Sequence, residues 1–509
     1  EIHAAFPETC NLAWPNKQRR AILASLGYHG SLFRQDREIP DQRKITRAIE
    51  KAVGEIRKGW NEFYARGKDD FHLNAPVSCQ GVEAQPASTK VDTPNPPNGV
   101  PRGFREKVSL GTRNQTRAQS VEETREAINA SLRFLGSGCK DVSEGPGLLR
   151  EVFIALLESK EDSTPGIPLS SINGKKDFWL EDWDSVSRLV LERMLLLLED
   201  QLPTKPSELV LGGYRDPIYV FIKDEPHKLE KINAQRLRII SSVSLVDSVI
   251  ERVLYSRQNK LEIKLCNYIP FKPGMGLHDE GQKELFAWFQ ARQKEYDICS
   301  SDIKAWDWSV PEWLLKLEVE YRLATGNATG GWARLVRNYS HGLHRKVFQL
   351  PSGEMFEQTA PGIVASGTYC TSSGNSHMRH GLSTVAQLGC GCDCEARAEG
   401  GQMGDDALER YLEGLLEEYN KLGFQTKGVE LSEKDVFSFC STSWNGKWCG
   451  EPESWTKTLF RFLGKNPNDD LYGQWRKQLE YDLRHHNGLS DLLCRVDRFM
   501  SDGARNDDL

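Results

Sequence analysis

The chain has 509 residues, 39% hydrophobic and 27% charged, the balance of a globular protein able to bury a large core in roughly two to four domains or one multi-lobed body. A formal net charge of −6 excludes binding to nucleic acid through overall basicity, so any such contact must come from local basic clusters. The most apolar run, Leu189–Leu198, is interrupted by Glu192 and Arg193, and no segment is long enough to span a bilayer.

The 12 cysteines follow no regular spacing and the chain opens at Glu1 without a signal-peptide pattern, which predicts a reducing intracellular setting. A first residue other than Met is expected of a truncated form or of a piece released from a longer precursor. In chain order, Ile45, Ile49, Val53, Ile56, Trp60 and Phe63 recur at helical spacing over Asp41–Gly67. The opposite face mixes Lys, Arg and Glu, so this amphipathic helix is expected to cover a core rather than a membrane. Ala75–Gly103 holds six prolines and no apolar period, the composition of an extended strap or linker.

Helical patterns return at Ser120–Leu135, Gly147–Ser159 and Asp177–Gln201, with the turn-rich piece Ser163-Thr164-Pro165-Gly166-Ile167-Pro168 between the last two. Two β-rich runs, Ile218–Ile222 and Ile239–Val243, flank a loop carrying Lys223, Lys228, Lys231, Arg236 and Arg238. Such a loop either gathers cations on phosphates or is an ordinary solvated hairpin. A loop at Phe271–Leu277 precedes a helix over Asp279–Lys294, and helices are expected again at Asp470–Arg484 and Leu489–Met500.

The chemistry concentrates in three places. Tyr296–Ser300 reads as a strand running into Asp302. Gly404-Asp405-Asp406 reads as a tight acidic turn between short strands, followed by a helix over Glu409–Leu422 with Leu412, Leu415, Leu416, Tyr419 and Leu422 on one face. Three carboxylates with open positions suit Mg²⁺ or Mn²⁺. Between them, Ser366, Gly367, Thr371 and Asn375 lie on a loop entering a helix, where their polar groups face one pocket unless the stretch is a Ser/Thr-rich linker. Cys390, Cys392 and Cys394, with His377 and His380, suggest zinc, but one-residue gaps are unlike the usual ligand spacing. Trp306 and Trp308 flank Asp307 and are expected in the core rather than stacked on bases.

Taken together, Asp302 and Asp307, then Ser366-Gly367 with Thr371 and Asn375, then Gly404-Asp405-Asp406, resemble motifs A, B and C of viral RNA-dependent RNA polymerases in order and spacing. Lys223–Lys228, Lys272–Leu277, Asp307–Val310 and Phe439-Cys440-Ser441 resemble the sobemovirus, polerovirus and barnavirus branch, most of all its sobemovirus members. The resemblance covers Ser163 to Trp444. It implies an α+β right-hand fold in closed form: an N-terminal extension and fingertip strap (1–110), fingers (111–295 and 326–360), a palm with an antiparallel sheet (296–325 and 361–445) and a thumb (446–509).

It further implies that Asp302 and Asp405 bind catalytic Mg²⁺, replaceable by Mn²⁺, assisted by Asp406. Asp307 and Asn375, with Ser366 and Thr371, would read the ribose 2′-hydroxyl of the NTP. Lys223, Lys228, Lys231, Arg236 and Arg238 would form the NTP entrance as motif F, Arg238 foremost. Ser163, Thr164, Gly166 and Pro168 would guide template RNA as motif G, Gly367 would contact RNA, and Phe439, Cys440 and Ser441 would grip the primer as motif E. Lys427 would protonate the leaving pyrophosphate, with Lys434 as the competitor. The implied partners are RNA template and nascent strand, NTPs and other viral polyprotein products, with initiation either primer-independent or from a protein primer (VPg), at membrane-associated replication complexes in the host cytoplasm. The competing readings are a reverse transcriptase and a non-catalytic RNA-binding scaffold.

Overall fold

Period-two burial along Ile298–Ile303 sets the centre of the molecule: Cys299, Ser301 and Ile303 are buried on one face, while Ser300 and Asp302 on the other are only partly covered. The computed structural model describes residues 2–4, 20–26, 37–65, 120–139, 141–159, 163–223, 225, 229–234, 236–326, 328–392 and 400–506. The strap expected over 75–103 and Lys228 of the cationic loop lie outside them. Among the described residues the strands are β1 (Ile2–Ala4), β2 (Ile218–Ile222), β3 (Ile239–Ser242), β4 (Ile298–Ile303), β5 (Val347–Gln349), β6 (Met355–Gln358), β7 (Gly401–Met403), β8 (Asp406–Arg410), β9 (Thr426–Leu431), β10 (Val436–Phe439), β11 (Thr442–Asn445) and β12 (Glu451–Pro452).

They form three sheets, giving a mixed helix-and-sheet protein in which antiparallel pairing dominates. The central sheet runs β9-β4-β8-β7, antiparallel throughout. A second runs β1-β6-β5-β2-β3, with β2 and β5 parallel. The third is β10-β11-β12. The central sheet is covered on both faces. On one side Cys299 and Ile303 meet Trp306, Leu314, Leu382, Val385, Leu415, Tyr419 and Phe424. On the other, Ile298 and Leu408 meet Leu285, Phe289, Phe437, Phe439 and Trp444. Trp306 and Trp308 are buried, as their size and flanking strand predict.

The amphipathic helix expected near the N-terminus is present as Gln42–Ala65, but its most buried line is Ala48, Ala52 and Ile56, with Ile45 and Ile49 at the margin. Two alanines at the contact let the backbone approach the helices Thr371–Gly389 and Glu312–Thr325 closely, which a stripe of isoleucines would prevent. Ser120 caps the helix Val121–Gly136: its Oγ accepts the Glu123 N–H at 3.1 Å, and its own N–H donates to Glu123 Oε2 at 2.7 Å.

Two expected helices are corrected. Asp177–Gln201 divides at Asp182 into Lys176–Glu181 and Trp183–Leu196, so that Trp179 and Leu180 reach the same core as Val186, Val190 and Leu191. The helix expected from Glu409 begins only at Leu415, because Glu409 and Arg410 continue β8 in register with Cys299 and Ile298. Leu415, Tyr419 and Leu422 are buried as expected, whereas Leu416 is exposed. The C-terminal helices Trp455–Leu463, Tyr472–Asp482 and Leu489–Asn506 gather a cluster of their own around Phe462, Leu479, Leu483, Leu492 and Val496.

Candidate active site

β7 and β8 form a hairpin in which Met403 faces Asp406 across the two-residue turn Gly404-Asp405. Gly404 has φ +66°, the left-handed conformation such a turn demands and a side chain resists. The 371–389 helix holds the turn from behind: the Gly404 N–H donates to Ser376 Oγ at 2.9 Å, and Arg379 Nε donates to the Asp405 carbonyl at 3.3 Å. On the neighbouring strand Ser301 faces Ala407, so the next pair is Asp302 and Asp406. Facing residues of antiparallel strands lie about 4.5–5.5 Å apart at Cα and point to the same side. The register therefore places two of the three predicted acids side by side and the third in the adjoining turn.

Among the described residues no three Asp, Glu, His or Cys side chains already converge as an ion site. The donors are nonetheless the right kind: carboxylates at one sheet end fit a hard divalent cation, which draws its ligands together and shares them with phosphate and water.

Asp307 sits on the short helix Trp306–Ser309 and receives the Asn375 Nδ2–H at 2.9 Å. Its backbone carbonyl also accepts the Val364 N–H at 2.7 Å, tying this turn to the segment entering the 366–375 loop. Burial pushes the Asp307 carboxyl up to about 6, the Asn375 hydrogen bond opposing the rise and the Asp405 charge adding to it. Asn375 Oδ1 is buried with no hydrogen-bond partner among the described residues, an acceptor left for a ligand hydroxyl. Ser366 Oγ accepts the Ser241 N–H of β3 at 3.2 Å. Gly367 lies so close to the same strand that a Cβ would stand 2.1 Å from the Ser241 carbonyl oxygen. Thr371 lines the same cavity as Asn375, and its Oγ1 also braces the loop by donating to the carbonyls of Ser366 and Thr368 at 3.0 and 2.8 Å.

The cationic loop is divided. Lys223 and Arg238 pair with Glu225, whereas Arg236 pairs with Glu230 and Lys231 is exposed on the short helix Leu229–Asn233. Arg238 is near enough to Asp307 for its charge to act on that carboxyl. The 163–168 loop packs on the end of β3: the Leu245 N–H donates to the Pro165 carbonyl at 2.8 Å, and a Cβ on Gly166 would stand 2.8 Å from Ser244 Cα. Ser163 Oγ accepts Lys176 Nζ at 3.0 Å, Thr164 Oγ1 accepts the Gly166 N–H at 3.3 Å, and Pro168 follows a cis peptide bond.

Phe439 is corrected as an RNA contact, because its side chain is buried beneath the central sheet. Cys440 and Ser441, both at positive φ in the β10–β11 turn, remain at the surface or its edge, and Cys440 is hydrogen-bonded to Asp406. Burial, with the charges of Asp406 and Asp405, pushes that thiol well above its ordinary range. On β9 a bulge sets Lys427 and Gly428 opposite the single residue Asp302, since Thr426 faces Ile303 and Val429 faces Ser301. Lys434 comes after the far end of that strand, beyond the Leu431–Cys299 pair. The Lys427 side chain is outside the described residues.

The sequence reading missed the support beneath the turn. Arg379, one helical turn past Asn375, is fully buried and reaches Glu409 at 3.0 Å, Ser383 at 2.6 Å and Tyr419 at 3.1 Å. Tyr419 donates to Glu409 Oε2 at 2.7 Å, and Ser301 bonds both Glu409 and Arg379. The signal was an acid three residues after Asp406, which strand alternation turns inward, and assigning Glu409 to a helix hid it. His377 is held by Glu262 and Glu318, each at 2.8 Å, while His380 packs edge-on to Phe271 in the core.

Comparison with known proteins bears on the same residues. A family model described as viral RNA-directed RNA-polymerase matches residues 104–288 and 303–435, more than half the chain. The RNA-directed RNA polymerase of Mushroom bacilliform virus (isolate Australia/AUS LF-1) is 38% identical over 356 residues, 67% of this chain and 84% of that protein. Replicase polyprotein P2AB of Southern bean mosaic virus is 37% identical over 337 residues, 64% of this chain and 33% of the polyprotein. Protein P1-P2 of Potato leafroll virus (strain Potato/Scotland/strain 1/1984) is 34% identical over 384 residues, 69% of this chain and 34% of that protein. The chain thus spans most of one relative and about a third of the two longer ones. With the acidic turn, the Asp307–Asn375 pair and the loop that carries it all inside the matched span, the chain belongs to the viral RNA-directed RNA polymerases.

Proposed function

We propose that this polymerase joins NTPs to an RNA 3′-hydroxyl under template direction, to copy a positive-strand viral genome, with the acids of β4 and the β7–β8 turn as its catalytic centre. The observation that carries the reading is the register of β4 on β8, which runs to Ser301 opposite Ala407 and so brings Asp302 and Asp406 next in line. Asp302 and Asp405 hold the ions, assisted by Asp406; Mg²⁺ is the expected occupant and Mn²⁺ its substitute. Bound there, the ions supply activation of the attacking hydroxyl and neutralise charge on the departing phosphate.

The chain's own groups do the rest. Arg238 and Lys223 attract the triphosphate. Asn375 Oδ1 and the Asp307 carboxylate accept from the ribose hydroxyls, the feature that separates NTP from dNTP. Lys427 delivers the proton that pyrophosphate takes up, favoured over Lys434 by the bulge opposite Asp302. Ser163–Pro168 and Gly367 line the template path, and Cys440 and Ser441 abut the primer end.

We assign the right-hand parts accordingly: palm at 296–325 and 361–445, fingers at 111–295 and 326–360, thumb at 446–509, and an N-terminal extension and strap at 1–110. The antiparallel sheet bearing the acids and the separate C-terminal helical cluster support this division. Primed elongation on a homopolymer template tests the function. Synthesis by the parent, lost in Asp405→Ala with RNA binding kept, supports it; a parent inactive with both Mg²⁺ and Mn²⁺ favours the scaffold reading. Equal use of dTTP and UTP would favour a reverse transcriptase.

A further inference from the structure

Glu225 is an acid on which cations from two separate elements of the described chain converge. Its side chain is 2% exposed, and one carboxylate meets four cations: Lys223 at 3.1 Å, Arg238 at 3.0 Å, Lys457 at 3.2 Å and Arg461 at 2.8 Å. Lys223 and Arg238 flank the loop between β2 and β3; Lys457 and Arg461 stand one turn apart on the same face of the helix Trp455–Leu463. Burial works against ionisation of Glu225, but hydrogen bonds from Lys223 and Lys457 and the charge of Arg238 hold its carboxyl down at about 2.

Four cations from two elements of the described chain converge on this one carboxylate, and like charges a few ångströms apart repel, so the arrangement favours the approach of a further anion. The cations keep between 34% and 59% of their side-chain surface exposed while the acid they surround is covered. Arg238 also acts electrostatically on Asp307, so the cluster adjoins the ribose-reading pair.

We propose that Lys457 and Arg461 complete, from the C-terminal helices, the site for the polyphosphate of the nucleotide, and that Glu225 is its resident counter-anion, holding the four cations in place until phosphate takes over. The idea rests on the polymerase reading above for the identity of the ligand. It assigns Lys457 and Arg461 direct phosphate contacts and makes Glu225 a positioning residue. A mere tie between two parts of the molecule would need one pair, not four cations on one acid.

The test is calorimetric titration of the full chain with inorganic tripolyphosphate, with sulfate at equal ionic strength as the control, beside NTP kinetics in primed elongation. Lys457→Ala/Arg461→Ala is expected to weaken tripolyphosphate binding about tenfold, as loss of two partly exposed charge-assisted bonds would. It should raise KM for NTP by a similar factor and leave kcat within about twofold. Glu225→Gln, which removes the competing charge and keeps the shape, is expected to tighten tripolyphosphate binding several-fold even though its melting temperature falls. Parental affinity in the double variant, or melting shifts alone in both variants, would make the cluster a structural tie and overturn the proposal, as would weaker binding in Glu225→Gln. Binding is read without turnover, so an inactive parent would count against the polymerase reading alone.

Discussion

Asp307 illustrates how a single carboxyl is tuned for recognition. With its value near 6, the carboxylate that receives Asn375 is mostly ionised at pH 7.5 and mostly protonated at about pH 5. The preference for UTP over dTTP, measured as the ratio of kcat/KM, is therefore expected to shrink several-fold between those values, and Asp307→Asn should abolish the dependence. A ratio constant across that range would remove Asp307 from sugar recognition. Two histidines one turn apart on the 371–389 helix pull stability in opposite directions. Burial and the nearby charges of Lys51, His377 and Arg379 lower His380 to about 3, so below pH 6.5 the unfolded chain takes up a proton that the folded chain refuses. Stability falls as pH drops through that window, by about 2 kcal/mol between pH 7 and 5. His380→Gln should remove that part of the loss in urea unfolding at the two pH values, and an unchanged slope would refute the assignment. For His377, burial opposes the charge but Glu262 and Glu318 outweigh it and raise the imidazole. Its contribution is full below the unfolded value and is lost as pH rises through the higher folded one.

At the scale of elements, the acidic turn depends on what lies behind it. Glu409→Gln leaves the Arg379 guanidinium buried without its counter-ion, and removing one partner of such a pair costs about 3–5 kcal/mol. Arg379→Met/Glu409→Leu is expected to recover much of that in thermal unfolding but not the rate of synthesis, because the bond to the Asp405 carbonyl is gone; full recovery of both would reduce the network to packing. Gly367→Ala pushes the loop off β3 by steric conflict, and is expected to lower elongation at least about tenfold while costing about 1–3 kcal/mol of stability. The elements themselves were largely legible. β-rich runs gave β2 and β3, and helical spacing gave 42–65, because both record which side chains face a core. The acids and the placing of Asp307 with Asn375 in one site were anticipated from motif order, whereas the approach of Gly367 to its neighbour strand was not. What was hidden depends on partners far away in the chain: Arg379 with Glu409, Glu225 with Lys457 and Arg461, and the inward turn of Phe439. A local period turns such a residue inward only once its element is correctly assigned, as with Glu409, and it never names the distant partner.

For the molecule as a whole, the C-terminal helices carry their own core and are joined to the remainder by ion pairs at Glu225 and by Arg484 bonded to Asp279 at 2.8 Å. Leu483→Ala opens a cavity in that core and is expected to cost about 2–5 kcal/mol. Hydrogen exchange should then show amides of 455–500 losing protection first while those of β4 and β8 keep theirs; simultaneous loss would mean a single cooperative unit. The two-residue periodicity of β4 and β8 has one last consequence. Their outward positions hold Asp302 and Asp406, and their inward positions hold Ser301 and Glu409, bonded to Arg379. A slip of one residue in both strands would bury the two aspartates and strand the guanidinium, so a misthreaded chain would forfeit its chemistry and its solvation balance together. In this hairpin, selection for turnover and selection for correct assembly act on the same alternation.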